Sequence, residues 1–426
     1  MMAASQFQRL FSPLFRWILI SDRQCLYYDA GSTAFASQPA SEQGFSFSAV
    51  PGRDIRTSKR LQAGIGQARW RTTLDLLISE TRIALPDAAG LAARMIDHLA
   101  EHDIAFEDQG GLMVAKLPFG TSSLAVEAEV LKIRVEADDK GNLEMLRSVV
   151  ASHVIEFAGD TAPTIVWSGH ESNGGTLANF REVRLKSAMT LTPHMRRLTF
   201  TGDDIARFVN DDDLHVRLYF PPEGLARPEW PWPAPDGRIL WPEPDRRPIT
   251  RYYTIRRIDL QSRDIDIDFV VHDHAGPGSA FAVNAKTGAI CGMAGPLGRG
   301  IRPARWLLLA GDETALPAIA RILETLPATT TGEVFIEVAD QDEEVPLVAP
   351  SGVVIRWLHR AGRSAGTTQL LVDAVRAVRW PDHRDVFAWV ACEAQALKAL
   401  RDHLRNERKL ARDQHLAVAY WSLRQS

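Results

Sequence analysis

The sequence predicts a multidomain chain: a small α+β module, then an antiparallel β-barrel, then an α/β unit built on a parallel sheet. Three observations carry this. Between Leu74 and Phe157, runs at helical spacing sit among segments that alternate apolar and polar residues. Between Phe180 and Gly298, alternating runs recur on either side of a Pro-rich loop, punctuated by turn sequences such as Leu191-Thr192-Pro193 and Thr201-Gly202-Asp203-Asp204. From Trp306 onward, continuous apolar runs alternate with helical stretches, as strands buried on both faces do.

Length and composition set the bounds. A chain of 426 residues can hold two or three domains with sizeable cores. A net charge of -4 and a pI near 6.3 argue against a nucleic-acid partner. Cys25, Cys291 and Cys392 are too widely spaced for a metal-ligand motif or a disulfide framework, which fits a reducing, cytoplasmic setting. No apolar run reaches the length of an integral membrane segment. Residues 1–71 read as a poorly ordered extension. Arg9 and Arg16 interrupt its apolar stretch, and Gly31 to Gln67 is rich in Ser, Gly, Gln and Ala.

Residues 72–160 form the small module. Thr73 to Ala84 reads as a strand. Pro86-Asp87 opens a helix through His102, with Leu91, Met95, Ile96 and Leu99 on one face. Asp108-Gln109-Gly110-Gly111 is a hairpin turn, Ser122 to Ala137 an alternating run, and Glu144 to Phe157 a second helix. His98, His102 and His153 read as satisfied or surface histidines ahead of a metal cluster. Residues 161–176, rich in Gly, Ser and Thr, read as a linker.

Residues 177–300 carry the barrel, with strands at Phe180–Met189, Arg196–Thr201 and His215–Phe220. Pro221 to Pro248 reads as an exposed loop laid over it. Trp230, Trp232 and Trp241 are expected to pack against that loop rather than stack on a ligand. Then comes Arg251-Tyr252-Tyr253-Thr254-Ile255-Arg256. An Arg, a Tyr and a Thr one strand-step apart are what a flavin site needs. The Arg offers a fork of donors for phosphate, the Tyr a flat face, the Thr a hydroxyl for a ring nitrogen. Arg251 and Tyr253 project to one side of a strand and Thr254 to the other. Asp264 to Val271 alternates acidic and apolar residues, as a half-buried strand does. His272 and then Gly276-Pro277-Gly278-Ser279-Ala280-Phe281 precede a short helix, whose N-terminal N–H groups suit a pyrophosphate. The two anion sites together favour a dinucleotide, FAD.

Residues 301–426 alternate strands and helices. Ligands bind such sheets at the carboxyl ends of the strands. Gly311-Asp312-Glu313-Thr314 and Cys392-Glu393-Ala394 lie at two such ends. Asp312 and Glu313 also read simply as favourable charge in a first helical turn.

Taken in order, several motifs resemble the siderophore-interacting protein family of FAD-dependent ferric-siderophore reductases, which have a ferredoxin-reductase-like plan. They are Thr192-Pro193-His194-Met195-Arg196-Arg197, His215-Val216-Arg217, the Arg251 strand, Asp266 to His272, Gly295-Pro296-Leu297-Gly298, Ala310 to Pro317 and Ala419-Tyr420-Trp421. The likeness covers about Phe180 to Trp421. Ala419 and Ser422 stand where the family usually has Gly and Arg. The first module resembles a small domain of unknown function found ahead of such reductases, through Thr81 to Ala84, the helix ending near His98, and Val150 to Ala158.

The resemblance implies FAD, NADH or NADPH as donor, and a ferric siderophore as substrate; separately, the chain is expected to be a monomer. By position, Arg251 would bind an FAD phosphate and Tyr253 would pack on the isoalloxazine. Thr254 would approach its N5, with Tyr252 beside them in the strand. His272, Gly276, Gly278, Ser279 and Ala280 would hold the rest. Gly311, Asp312, Glu313, Thr314 and Glu393 would line the nicotinamide site, and Tyr420 and Trp421 would close the flavin site. Arg246, Arg247 and Arg302 are candidates for a basic docking patch, or plain surface charges. A general flavin or electron-transfer reductase and a non-catalytic siderophore-binding protein are the alternatives. For the donor, Arg360 and Arg363, unless plain surface charges, would favour NADPH, whereas the acidic loop Asp340 to Glu344, denser and directly after the second strand, tips the reading to NADH.

Overall fold

The computed structural model describes residues 76–101, 104–117, 119–169, 175–210, 213–272, 276–298 and 300–423. The extension expected at 1–71 and His102 lie outside the described residues.

The first module is a six-stranded antiparallel sheet. Strands β1 (Leu77–Ala84), β2 (Phe106–Asp108), β3 (Leu112–Leu117), β4 (Gly120–Glu127), β5 (Val130–Ala137) and β6 (Ser168–Gly169) lie in the order β2-β3-β4-β5-β1-β6. Helices α1 (Ala88–Ala100) and α2 (Lys140–Ala158) cover one face. Asp87 caps α1 by accepting from the Gly90 N–H, and Leu91, Met95 and Leu99 are the buried stripe. The run expected over Ser122–Ala137 is two strands. Ala128 turns the chain at a φ of 54°, and no Gly or Asn marks that turn.

The stretch read as a linker contributes structure. Ser168 and Gly169 pair with Glu80 and Ser79 of β1, and Ile165 is buried. Beyond it, α2 docks on the next unit. Glu144 accepts from the Ala178 N–H at 2.8 Å, Ser148 accepts from the Ile239 N–H at 3.1 Å, and Trp167 donates to the Asp236 carbonyl at 2.8 Å. Burial pushes the Glu144 carboxyl above its ordinary range.

The barrel closes in the order β12-β13-β8-β7-β14-β9. Its strands are β7 (Phe180–Thr192), β8 (Met195–Gly202), β9 (His215–Phe220), β12 (Ile249–Asp259), β13 (Asp264–Val270) and β14 (Ile290–Leu297). Leu198, Phe200, Leu218, Ile255 and Ile267 fill the interior, joined by Ala282 of helix α3 (Pro277–Asn284). The acids of β13 are more buried than a half-buried strand requires. Asp268 meets Arg197 of β8, and Asp266 meets Thr199 of β8 and Arg257 of β12, both neighbouring strands, while Asp264 meets Lys186 of β7, one strand further on.

The Pro-rich loop carries the short pair β10 (Trp232–Pro233) and β11 (Ile239–Leu240). Trp230 lies 5.2 Å from Phe180 of β7 and Trp241 stacks on Tyr219 of β9 at 5.9 Å, so both pack the loop onto the barrel strands. Trp232 remains exposed. The loop is less exposed than its composition suggested, because Ile239 is wedged among Leu177, Phe180 and Tyr219.

The last unit is a five-stranded parallel sheet ordered β17-β16-β15-β18-β19. Its strands are β15 (Trp306–Asp312), β16 (Thr331–Val338), β17 (Gly352–His359), β18 (Val386–Glu393) and β19 (His415–Trp421). Helix α4 (Leu316–Thr325) covers one face, α5 (Leu370–Arg376) and α6 (Ala394–Asp402) the other. The barrel followed by this sheet is the ferredoxin-reductase-like plan.

Candidate functional site

The site grows from β12. Tyr253 pairs with Val216 of β9, and Thr254 pairs with His215. Tyr253 lies on the inner side, its ring 4.2 Å from Phe269 and edge-on to Phe220 at 6.2 Å. Burial raises its phenol above the ordinary range. Its hydroxyl abuts the start of α3: a Cβ on Gly278 would fall 1.8 Å from it. Glycine is therefore required there, and the contact brings the Arg251 strand against the helix N-terminus. Gly276 caps α3 with no side-chain hydrogen bond, and Ser279 turns its hydroxyl back to accept from the His272 N–H at 3.2 Å. The Ala280 N–H is used inside the helix, on Gly276.

Tyr252 and Thr254 face the other side. Arg217 donates to the Tyr252 hydroxyl and lies over its ring at 4.9 Å. Arg251 donates to the Thr250 carbonyl at 2.7 Å. A register shift between Ile255 and Arg257 turns Arg256 toward α4, where it pairs with Glu324 at 2.6 Å. Arg321 of α4 donates to the Ile255 carbonyl at 3.0 Å. The helix that follows the Gly311–Thr314 turn is thus bonded directly to the flavin-motif strand.

At the carboxyl ends of β15, β18 and β19, the expected residues converge. Asp312 accepts from the Trp421 indole at 2.8 Å, from the Glu393 N–H at 3.2 Å and from the Thr314 N–H at 3.0 Å. Burial and the neighbouring Glu313 push its carboxyl up to about 6. Glu393 accepts from the N–H groups of Ala396 and Leu423 at 3.3 and 3.1 Å. Gly311 is buried in β15 beside them. Tyr420 reaches the barrel: its hydroxyl lies 2.5 Å from His215 Nε2.

Other expectations meet different surroundings. Arg360, a candidate for a nucleotide phosphate, is buried at 5% exposure and pairs with Glu313 and Glu337. Within the acidic loop, Glu343 is buried and accepts from the Thr192 hydroxyl at 2.5 Å and from His194 Nδ1 at 2.6 Å. It joins the β7–β8 turn to the sheet domain instead of facing a ligand. Arg302 donates to the Asp413 and Val386 carbonyls, at the amino end of β18 and away from the other candidates. Arg246 pairs with Glu229, and Arg247 lies 6.0 Å over Trp241, both in the loop before β12. Among the described residues, no group of three His, Cys, Asp or Glu could hold a metal. The sequence assigned no role to His215 or Arg321 and counted Glu343 only within the acidic loop expected to repel a 2′-phosphate; the partners of all three are distant in sequence.

Comparison with known proteins decides the family. A model described as siderophore-interacting FAD-binding domain matches residues 184–300, and one described as siderophore-interacting protein matches residues 304–424. The ferric vibriobactin reductase of Vibrio cholerae is 37% identical over 235 residues, covering 54% of this chain and 85% of that protein. The chain belongs to the siderophore-interacting protein family. A siderophore utilization protein from T. fusca matches at 38% identity and a TM-score of 0.50, covering 58% of this chain and 94% of the other. The siderophore-interacting protein SipS from Aeromonas hydrophila matches at 29% identity and a TM-score of 0.51, covering 58% and 93%. Residues 80–168 match a model described as an uncharacterized protein conserved in bacteria. FAD and a nicotinamide nucleotide are the cofactors of this plan.

Proposed function

We propose that this protein is an FAD-dependent reductase of ferric siderophores, with NADH as donor. The observation that carries the reading is the joining of three motifs: β12 with Arg251, Tyr253 and Thr254, the Gly311–Thr314 turn, and Tyr420-Trp421. Arg321 and His215 bridge them across the two units. The name of the Vibrio cholerae relative supplies the substrate class.

The residues suit FAD. The close Tyr253–Gly278 approach sets a strand bearing a guanidinium against a helix start that no side chain caps, and a pyrophosphate uses both. Arg251 and the leading N–H groups of α3 are assigned to the phosphates, Tyr253 and Thr254 to the ring, and Tyr252 to bracing Arg217. When bound, FAD accepts a hydride from the nicotinamide and passes electrons on singly. The chain's own contribution is alignment, which in favourable cases supplies on the order of 7–11 kcal/mol of barrier lowering. α4 fixes the distance between strand and turn through Arg321 and Glu324. Trp421 on Asp312 and Leu423 on Glu393 anchor the C-terminal strand.

Support for NADH over NADPH comes from the carboxyl end of the sheet. Asp312, Glu313, Glu337 and Glu393 are buried there, and Arg360 is already engaged by two of them. A 2′-phosphate would meet net negative charge. Arg246 and Arg247 remain the proposed docking cations for an anionic siderophore; Arg302 is set aside because of its position. A cytoplasmic monomer, with unit boundaries just after Gly169 and near residue 300, completes the proposal. No helix among the described residues is long and apolar enough to cross a membrane.

Acceptor preference tests this. Purified protein with FAD and NADH is offered a ferric siderophore, free flavin, ferredoxin or cytochrome, with a chromogenic chelator trapping ferrous iron. Faster turnover of the ferric siderophore supports the proposal. Preference for free flavin would make it a general reductase, and no reduction of any acceptor would leave a binding protein.

A further inference from the structure

We propose that His215 is a positioning residue, which holds the C-terminal Tyr420 ring beside Thr254 so that the donor meets the flavin in one alignment. The inference rests on the function proposed above.

Four observations converge on it. His215 lies directly across from Thr254 in the β9–β12 pairing, so the imidazole stands next to the flavin motif. Its Nε2 is 2.5 Å from the Tyr420 hydroxyl, and the two rings meet edge to face at 5.4 Å and 89°. On its other side, Tyr420 packs edge-on against Trp389 of β18 at 6.1 Å and 86°. The ring is therefore held between the barrel and the sheet. Finally, Gly298 approaches the back of the imidazole: a Cβ there would fall 2.6 Å from Nδ1, and its φ of 101° suits only glycine. The backbone after β14 is shaped to leave the imidazole this place.

The chemistry of the contact follows. A neutral imidazole has one acceptor and one donor nitrogen. We assign the Tyr420 hydroxyl as donor and Nε2 as acceptor, with the proton on Nδ1. Burial, aided by the Arg321 charge, pushes the imidazole down to about 4, so the acceptor persists through neutral pH. The next residue, Trp421, is bonded to Asp312 of the sheet. Consecutive residues of one strand thus hydrogen-bond to different units, Tyr420 to the barrel and Trp421 to the sheet. Without His215, Trp421 would still anchor the backbone, but the Tyr420 ring would lose its fixed height beside Thr254.

The test uses the full chain loaded with FAD. His215→Leu removes the acceptor, Tyr420→Phe removes the donor, and His215→Gln restores an acceptor oxygen. Rapid mixing with NADH gives the limiting rate of flavin bleaching and the half-saturating NADH concentration. Circular dichroism of the bound flavin reports the ring's surroundings without turnover. The expected result is a threefold to tenfold fall in limiting rate for His215→Leu and for Tyr420→Phe, about the worth of one buried hydrogen bond. The double variant should be no slower than either alone, and His215→Gln should recover to within about twofold. FAD content should be unchanged, and the dichroism of both single variants should change alike. Multiplying effects in the double variant, or an altered dichroism in His215→Leu alone, would overturn the inference. A parent protein that NADH does not bleach would overturn the proposed function instead, and the dichroism would still judge this contact.

Discussion

Glu343 is the sharpest place to perturb the joint between barrel and sheet. Its carboxylate is 3% exposed and takes hydrogen bonds from the Thr192 hydroxyl, the His194 N–H and the His194 imidazole. Glu343→Ala deletes the acceptor for all three and strands the Thr192 hydroxyl, which is itself buried. The imidazole is half exposed, so its share is discounted for solvent screening. The remaining two bonds to a charged acceptor are worth about 1.5 kcal/mol each at the low end, or roughly 3 kcal/mol together. For a unit of this size that corresponds to a melting temperature lowered by about 6–12 °C. The variant should also bleach more slowly with NADH, because the hairpin and the sheet no longer share a fixed geometry. Calorimetry of the FAD-loaded protein, with rapid-mixing kinetics alongside, measures both. Glu343→Gln keeps one acceptor oxygen and should fall between parent and Ala variant. An Ala variant that melts within about 1 °C of the parent and bleaches at the same rate would show that the bonds do not hold the units together.

Further outcomes follow from the same contacts. Arg251→Ala should lose FAD on gel filtration, since one charge-assisted phosphate contact is worth roughly 1.5–3 kcal/mol, and a fully yellow variant would contradict the assignment. Arg360→Ala should destabilise the sheet domain by about 3–5 kcal/mol through uncompensated Glu313 and Glu337, whichever nucleotide is present; unchanged melting with a selective loss of NADPH use would return Arg360 to the nucleotide site. Removing residues 1–161 should leave an NADH-oxidising flavoprotein that melts lower than the parent, because Ile239 and the Ala178 N–H lose their partners on α2; a colourless, insoluble product would place the first module in the barrel's folding core. His215 is held neutral in the fold, pushed down to about 4 from 6.5. The stability tied to it is full above pH 6.5 and is lost as pH falls toward 4, by roughly 3 kcal/mol. Asp312 acts oppositely: its carboxyl is raised to about 6 from 3.8, so stability grows as pH falls through that window. His215→Gln should therefore gain on the parent by roughly 3 kcal/mol between about pH 7 and pH 4 in chemical unfolding, and parallel curves would refute the burial of a neutral ring.

The architecture was legible because its signals are local. Period and turn residues placed β7 to β9, the Arg251 strand, β15 and the first helix within a few residues. Where a turn lacked its usual residues, as at Ala128, two strands read as one. Short pairings such as Ser168–Gly169 with β1 were hidden because they depend on a partner far along the chain. The site was legible in part for the same reason. Spacing located Arg251, Tyr253, Thr254 and the Gly276 turn, but spacing is silent on what a charge faces. Glu343 read as one acid of a loop set against a 2′-phosphate, and it is buried under Thr192 and His194. Arg360 read as either a phosphate ligand or a plain surface charge, and it is buried on two carboxylates. His215 needed the register with Thr254 and the return of the C-terminal strand before its role could be seen.

The most direct measurement is an anaerobic titration of the FAD-loaded protein. NADH is added until the visible flavin absorbance disappears, and a ferric siderophore is then added in portions. The account predicts bleaching by NADH, then full return of the flavin absorbance as about two ferrous ions form per FAD. A flavin that NADH does not bleach, or one that stays bleached when the ferric siderophore is added, would contradict it.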